Sequence, residues 1–239
     1  MSSTSPKIFF DNSVLSDYCR IYADNHEYAN KVFSEYDGEV WVGEFGEERF
    51  DEETSNRQRL FSYLKDEISG RISSHSSLSG EEVKEEIREE VLDVDRINSS
   101  LLFPIKENHT DIIEHVCEEL ERKSPKDLLE EIRDLSRAAR TLESNLKRTK
   151  IDERQPRRPE PLFRAMVVSH VENEIQAKNV VDAVFWSRET GGEHILIRNS
   201  DDGYQNRDGV NAGIETKMSH QDQLEIESPK SVVTKLSLQ

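Results

Sequence analysis

The side chains of this chain best placed to do chemistry are acids that follow short apolar stretches. Asp11 comes directly after Ile8–Phe10, and Asp201 and Asp202 follow a later apolar stretch. Asp182 stands at the expected start of a helix. Acids at the carboxyl ends of parallel strands gather at the functional edge of an α/β sheet. Because gathered carboxylates repel one another, a hard divalent cation is their usual partner.

The elements that must position these acids follow from hydrophobic patterns. Residues 7–10 and 39–42 predict two short strands, and residues 194–198 predict a third. Residues 180–189 predict a helix that places Asp182 in its first turn, and Gly191 begins the glycine pair that ends it. The pattern therefore predicts an α/β fold with the acids near the ends of its elements.

Three parts of the chain resemble PIN-domain nucleases. Phe9–Leu15, read as Phe-Phe-Asp-Asn-Ser-Val-Leu, resembles the family's first strand and turn. Asp182-Ala183 resembles its later Asp-Ala helix start, and Ile195–Tyr204 followed by Gly213–Glu215 resembles its last strands. The resemblance implies a PIN-like parallel sheet flanked by helices and a Mg²⁺- or Mn²⁺-dependent ribonuclease.

The resemblance covers residues 6–50 and 164–225, and it implies a set of site residues. The implied catalytic residues are Asp11, Glu48, Asp182 and Asp202. The implied metal ligands are Asp11, Asp182, Asp202 and Asp201, supported by Asn12, Ser13 and Asn199. Glu44 and Glu47 are rivals of Glu48, because all three follow the second strand closely. Gly203 stands where the family usually has an aromatic residue, so the register of the fourth acid stays open.

Each acid also has a purely structural interpretation. Asp11 could begin an Asx turn, because Asp-Asn-Ser is turn chemistry. Asp182 could serve only as a negative charge at a helix start. The pair Asp201-Asp202 precedes Gly203 and could form a plain turn.

The middle of the chain has a different pattern. Residues 6–54 and 163–225 are expected to form the PIN-like core, with a large helical insertion at 55–150. A basic, proline-rich linker at 151–162 and a loose tail at 226–239 complete the expected organisation. Within the insertion, Ser124 predicts a helix cap before a heptad-like stripe of apolar residues. That helix would pack within the chain or form an intermolecular coiled coil.

The charge balance restricts any role with nucleic acid. The formal net charge is −17, from 49 acidic and 32 basic side chains. Such a surface does not attract RNA by itself, so a cleaving enzyme needs a local concentration of cations. The basic segment, residues 147–158, is the most basic stretch. It predicts phosphate contacts through Arg154, Arg157 and Arg158, or else a solvated linker.

Other classes of site find little support. The two cysteines lie far apart, and the seven histidines show no ligand spacing, which argues against zinc. There is no glycine-rich phosphate loop. No run of apolar residues reaches membrane-spanning length, and the first residues lack an apolar signal region, so a cytoplasmic protein is expected.

Two functions remain as expectations. The first is a metal-dependent endoribonuclease that hydrolyses RNA phosphodiester bonds, with the toxin of a toxin–antitoxin pair as one candidate role. Its candidate partners are RNA, an antitoxin protein and a second copy of the chain. The alternative is a non-catalytic PIN-fold protein that binds a partner through the acidic helical insertion.

Overall fold

The computed structural model describes residues 7–74, 79–101, 107–157, 161–168, 174–192, 194–196 and 224–236. The chain divides into two compact units. The core unit contains residues 1–19, 24–51 and 144–239, and the helical unit contains residues 20–23 and 52–143. For comparison, the sequence predicts a helical insertion at 55–150.

The core unit contains a parallel five-stranded sheet. Its strands are β1 (Ile8–Phe10), β2 (Val40–Gly43), β3 (Glu153–Gln155), β4 (His194–Leu196) and β5 (Glu225–Glu227). Their order is β3-β2-β1-β4-β5, so β1 is central. The chain adds strands on one side of β1 and then, from β4, on the other. The carboxyl ends of strands at such a reversal are where open α/β sheets bind ligands.

Helices make up most of the remaining described residues. They are α1 (Asn12–Cys19), α2 (His26–Glu35), α3 (Glu44–Ser74), α4 (Gly80–Glu86), α5 (Val94–Leu101), α6 (Glu107–Arg122), α7 (Pro125–Asn145), α8 (Pro161–Val168), α9 (Glu174–Thr190) and α10 (Pro229–Leu236). Short π-helical turns, Ile87–Val91 and Leu146–Lys150, follow α4 and α7. The division between the units falls within α3. In the described part of the chain, no helix combines the length and apolarity needed to cross a membrane.

Two aromatic residues of β1 show how helices cover both faces of the sheet. Successive side chains of a strand point to opposite faces. The Phe9 ring centroid lies 5.6 Å from that of Trp186 in α9, and the Phe10 centroid lies 5.0 Å from that of Phe33 in α2. All four side chains are buried. The core unit therefore has the coarse α/β architecture expected from the sequence, a parallel strand buried between helical layers.

The helical unit has an apolar core of its own. The α7 residues Leu128, Ile132 and Ala139 are buried in a cluster that also contains Leu60 of α3 and Val116 of α6. The heptad-like stripe thus packs within the chain, as one of the two sequence interpretations expects. Ser124 accepts a hydrogen bond from the amide of Asp127, which is the predicted cap of α7.

Two strands arise where the sequence analysis expects none. β3 lies in the proposed linker, and Asp152 joins it to β2 by donating its amide to the Val40 carbonyl at 3.0 Å. β5 and α10 lie in or beside the proposed loose tail. Both strands are three residues long and mostly charged, so they lack the apolar pattern that predicts strands. The segment Gly213–Glu215, which resembles the family's last strands, lies outside the described residues.

Candidate active site

Asp11 lies at the carboxyl edge of the sheet. The register aligns Phe10 with Val42 of β2, so Asp11 and Gly43 follow at the same level of neighbouring strands. Asp11 is only 4% exposed. A carboxylate so deeply buried is costly unless it is hydrogen-bonded or paired with a cation.

The turn after β1 holds one oxygen of this carboxylate. Oδ1 of Asp11 accepts hydrogen bonds from the amide of Ser13 at 2.8 Å and from its hydroxyl at 2.5 Å. Asp11 precedes α1 directly, so it also acts as the N-cap of that helix. The turn interpretation of Asp11 and its place at the sheet edge are therefore compatible.

The other oxygen of Asp11 is held by a residue that the sequence analysis did not select. Nδ2 of Asn179 donates to Oδ2 of Asp11 at 2.5 Å and to Oδ1 of Asn12 at 2.8 Å. Asn179 belongs to α9 and is 1% exposed. Its spacing of three residues from Asp182 places both side chains on one helix face. The sequence signal that could have identified Asn179 is the polar Asn-x-x-Asp pair inside an apolar helical stretch.

The structure corrects the expected position of Asp182. We expected this residue in the first turn of a helix, but α9 begins at Glu174, and Asp182 lies more than two turns inside it. No strong stop signal separates Glu174 from Val180, so the helix is continuous. Asp182 is 2% exposed. Asp182 therefore does not serve as a negative charge at a helix start, because the helix dipole stabilises acids only in the first turn.

Two glycines, Gly43 at the end of β2 and Gly46 in the first turn of α3, make room for the polar face of α9. A Cβ atom on Gly43 would lie 2.8 Å from Oδ2 of Asp182, and one on Gly46 would lie 3.3 Å from Oδ1 of Asn179. This Asn179 oxygen is buried and accepts no hydrogen bond from any residue that the structure describes. Asp182 thus packs on the end of β2, while Asn179 reaches Asp11 at the end of β1.

We expect Gly43→Ala to disturb this packing directly. The new methyl group would press on Asp182 and on Phe9, whose Cζ lies 3.1 Å from the Cβ position. Overpacking of this kind should lower the free energy of unfolding by about 1–3 kcal/mol, measured by urea denaturation. Gly70→Ala is the matched control. Apart from its chain neighbours and its own helix backbone, no described residue has an atom within 4 Å of its Cβ position, and a helical alanine should stabilise the chain. Equal stability of the parent and Gly43→Ala would show that Asp182 does not pack as described.

The acids at the start of α3 lie among basic partners and not at the Asp11 site. Glu48 has a side chain 62% exposed and pairs with Arg157 at 2.5 Å. Glu47 accepts two hydrogen bonds from Arg154, at 2.6 and 2.8 Å, and Glu44 accepts the amide of Arg157 at 3.1 Å. The Glu47 hydrogen bond also raises the pKa of Arg154.

The reason for this difference is the geometry of β3 and α3. β3 lies beside β2, which brings the basic segment next to the first turns of α3. In the first turn of α3, the residue that packs against Asn179 is Gly46 and not a glutamate. Among the described residues, no contact therefore supports the expected role of Glu48 at the Asp11 site.

The basic segment is engaged in the same ion pairs. Besides its bond to Glu48, Arg157 places its guanidinium carbon 5.5 Å from the centroid of the Phe45 ring. The side chains of Arg154 and Arg157 are about half exposed, at 46% and 47%. Arg158 lies outside the described residues. Exposed pairs of this kind contribute little to stability, so both arginines could exchange a carboxylate for a phosphate at small cost.

The remaining expected site residues, Asn199, Asp201 and Asp202, lie outside the described residues. Within the described ranges, no group of three or more histidine, cysteine or acidic side chains is arranged to hold a metal ion. The described part of the site therefore consists of two buried carboxylates, Asp11 and Asp182, and the amide of Asn179, which bonds to Asp11 from the helix of Asp182.

Comparisons with protein-family models, with curated proteins and with solved structures find no match for this chain.

Proposed function

We propose that this chain is a PIN-type, metal-dependent endoribonuclease that hydrolyses RNA phosphodiester bonds. One observation carries the proposal. Two carboxylates, Asp11 and Asp182, are buried beside the carboxyl ends of β1 and β2, and Asn179, one turn before Asp182 on α9, donates a hydrogen bond to Asp11. Buried acids on different elements that converge at a sheet edge are uncommon without a ligand or a reaction to serve.

The donor atoms suit Mg²⁺ or Mn²⁺. Hard divalent cations take oxygen ligands, and Mg²⁺ in particular is bound by one or two carboxylates together with water and substrate phosphate. Asp11 and Asp182 would hold the ion, and Asp201 or Asp202 is the proposed third acid. A bound ion would supply charge neutralisation at the phosphate and an activated water.

The chain's own residues have distinct parts in this proposal. Asp11 and Asp182 provide negative charge at fixed positions in a buried setting. Ser13 and Asn179 hold the two oxygens of Asp11 from opposite sides. Such contacts fix the orientation of a ligating carboxylate and tune its affinity for a metal.

RNA binding must overcome the net charge of −17. We propose that the basic segment holds substrate phosphates. Because Arg154 and Arg157 are paired with Glu47 and Glu48, their affinity for phosphate is reduced by neighbouring negative charge. The segment would act as a moderate electrostatic contact, available when RNA competes with the glutamates.

This proposal predicts that removing the competing acids strengthens RNA binding. The double variant Glu47→Gln, Glu48→Gln should bind single-stranded RNA more tightly and steepen the slope of log affinity against log salt by up to about 1.4, equivalent to two phosphate contacts. The double variant Arg154→Gln, Arg157→Gln should shift both quantities in the opposite direction. Fluorescence anisotropy over a salt series measures both. If neither variant changes affinity or slope, the segment does not contact RNA.

The test of the function combines binding and cleavage with the purified full chain. Calorimetric titration with Mn²⁺ should show binding, and RNA incubated with Mg²⁺ or Mn²⁺ should be cleaved, with cleavage lost on chelation. Coexpression with the product of a small adjacent gene would show whether the enzyme is a toxin restrained by an antitoxin. Absence of cleavage for every RNA offered, with Mn²⁺ bound, would favour the alternative.

The alternative is a PIN-fold protein that binds a partner through its helical unit. That unit has its own apolar core and carries a groove of about 700 Å³ whose lining includes Arg59, Tyr63, Leu101 and Arg140. A partner bound there would be insensitive to Asp11 and Asp182. Partner binding that persists in an Asp11→Asn variant, without any RNA cleavage by the parent, would support this alternative.

A further inference from the structure

Asn179 is a polar residue in an apolar part of α9. Its neighbours Ala177 and Val180 are fully buried in the apolar core of the core unit, and Asn179 itself is 1% exposed. Burying an amide without hydrogen bonds costs free energy. The partners of this side chain therefore indicate what it does.

The orientation of the Asn179 amide is determined by those partners. Nδ2 faces two acceptor oxygens, Oδ2 of Asp11 and Oδ1 of Asn12. Reversing the amide would place its own oxygen against both acceptors, which is unfavourable. The side chain can thus act on Asp11 only as a donor.

The donor of Asn179 completes a clamp on the Asp11 carboxylate. Ser13 donates twice to Oδ1 from the start of α1, and Asn179 donates to Oδ2 from α9. Asp182 lies on the same face of α9, one turn beyond Asn179. The hydrogen bond from Asn179 therefore joins Asp11 to the helix that carries Asp182.

We propose that Asn179 is a positioning residue, which holds the Asp11 carboxylate in a fixed orientation relative to Asp182 and thereby sets the affinity of the site for a divalent cation. The inference rests on the proposed metal-dependent function. It goes beyond that function by assigning a role to a residue that carries no charge and is not among the proposed metal ligands.

The test uses the full chain and four proteins: the parent, Asn179→Ala, Asn179→Leu and Val180→Ala. Leucine keeps the branched shape of the asparagine side chain, with larger methyl groups in place of its oxygen and nitrogen, and has no donor, whereas alanine removes both the shape and the donor. Val180→Ala removes buried apolar volume on the same helix and leaves the Ser13 and Asn179 donors to Asp11 unchanged. Calorimetric Mn²⁺ titration is the primary measurement, with circular dichroism as a check of folding.

We expect both Asn179 variants to bind Mn²⁺ about 10- to 100-fold more weakly than the parent, the range found for partners that orient metal ligands. Val180→Ala should keep the parent's affinity although it is less stable. Raising the Mn²⁺ concentration should restore most of the cleavage lost in the Asn179 variants, because the defect lies in metal affinity.

Two results would overturn the inference alone. These are parent-like Mn²⁺ affinity in Asn179→Leu, or an equal loss of affinity in Val180→Ala, which would make the effect one of stability. A parent that binds no Mn²⁺ overturns the proposed metal site and the inference with it. A parent that binds Mn²⁺ but cleaves no RNA overturns the ribonuclease proposal, while weaker binding by both Asn179 variants still supports the positioning role.

Discussion

Replacing Asp11 or Asp182 with asparagine is expected to abolish RNA cleavage. Each substitution keeps the size of the side chain and removes a buried negative charge, at the end of β1 for Asp11 and on α9 beside the end of β2 for Asp182. Partners that merely orient a metal ligand already change affinity or activity by about 10- to 100-fold, so loss of a ligand should cost at least about 100-fold. The measurement is the initial rate of cleavage at a fixed, saturating Mn²⁺ concentration.

The fold should survive these substitutions or become slightly more stable. Without metal, two buried acids on neighbouring elements repel each other, and removing one charge relieves that repulsion. Asn at position 11 still offers an oxygen to the two Ser13 donors. Its amide nitrogen would face Nδ2 of Asn179, however, so any gain in stability should be smaller for Asp11→Asn than for Asp182→Asn. Asp37→Asn, at an exposed acid of the same unit, is the matched control and should cleave like the parent. Undiminished cleavage by purified Asp11→Asn or Asp182→Asn would remove the basis of the proposed site.

The largest expected loss of stability follows from Trp186→Ala. The Trp186 side chain is completely buried, contacts Phe9 of the central strand, and lies so close to Gly192 that a methyl group there would collide with it. Truncating such a side chain should lower the free energy of unfolding by about 3–5 kcal/mol. Against a typical total of about 5–15 kcal/mol, this loss would leave the core unit marginally stable.

Trp41→Ala provides the comparison, because the chain has only two tryptophans. Trp41 is partly buried and packs at the margin of the same cluster, so its truncation should cost clearly less. Urea denaturation followed by circular dichroism measures both variants in the same way. An equal or smaller loss for Trp186→Ala would mean that α9 does not pack on β1 as described, and the placement of Asn179 and Asp182 would fall with it.

The sequence by itself determined the local features of the core unit. The apolar runs before Asp11 and around Trp41 predicted β1 and β2, and both strands form within one residue of the expected limits. Aromatic and β-branched residues in a short run, ended by an acid or a glycine, are a strong local signal for a buried strand. The same local chemistry predicted the Ser124 cap of α7 and the hydrogen bonds from Ser13 to Asp11.

Only the tertiary structure decided which side chains lie beside Asp11 and Asp182. Glu48 follows β2 at the distance in sequence that the resemblance implies, yet the segment after β3 places Arg157 beside it. In the first turn of α3, Gly46 is the residue that packs against Asn179. Asn179 carries no charge and no family signature, and its contact with Asp11 joins residues 168 positions apart. Local patterns specify helices and strands, because these depend on neighbours in sequence. Hydrogen bonds and ion pairs between elements depend on how those elements pack, which the pattern of a single segment does not contain.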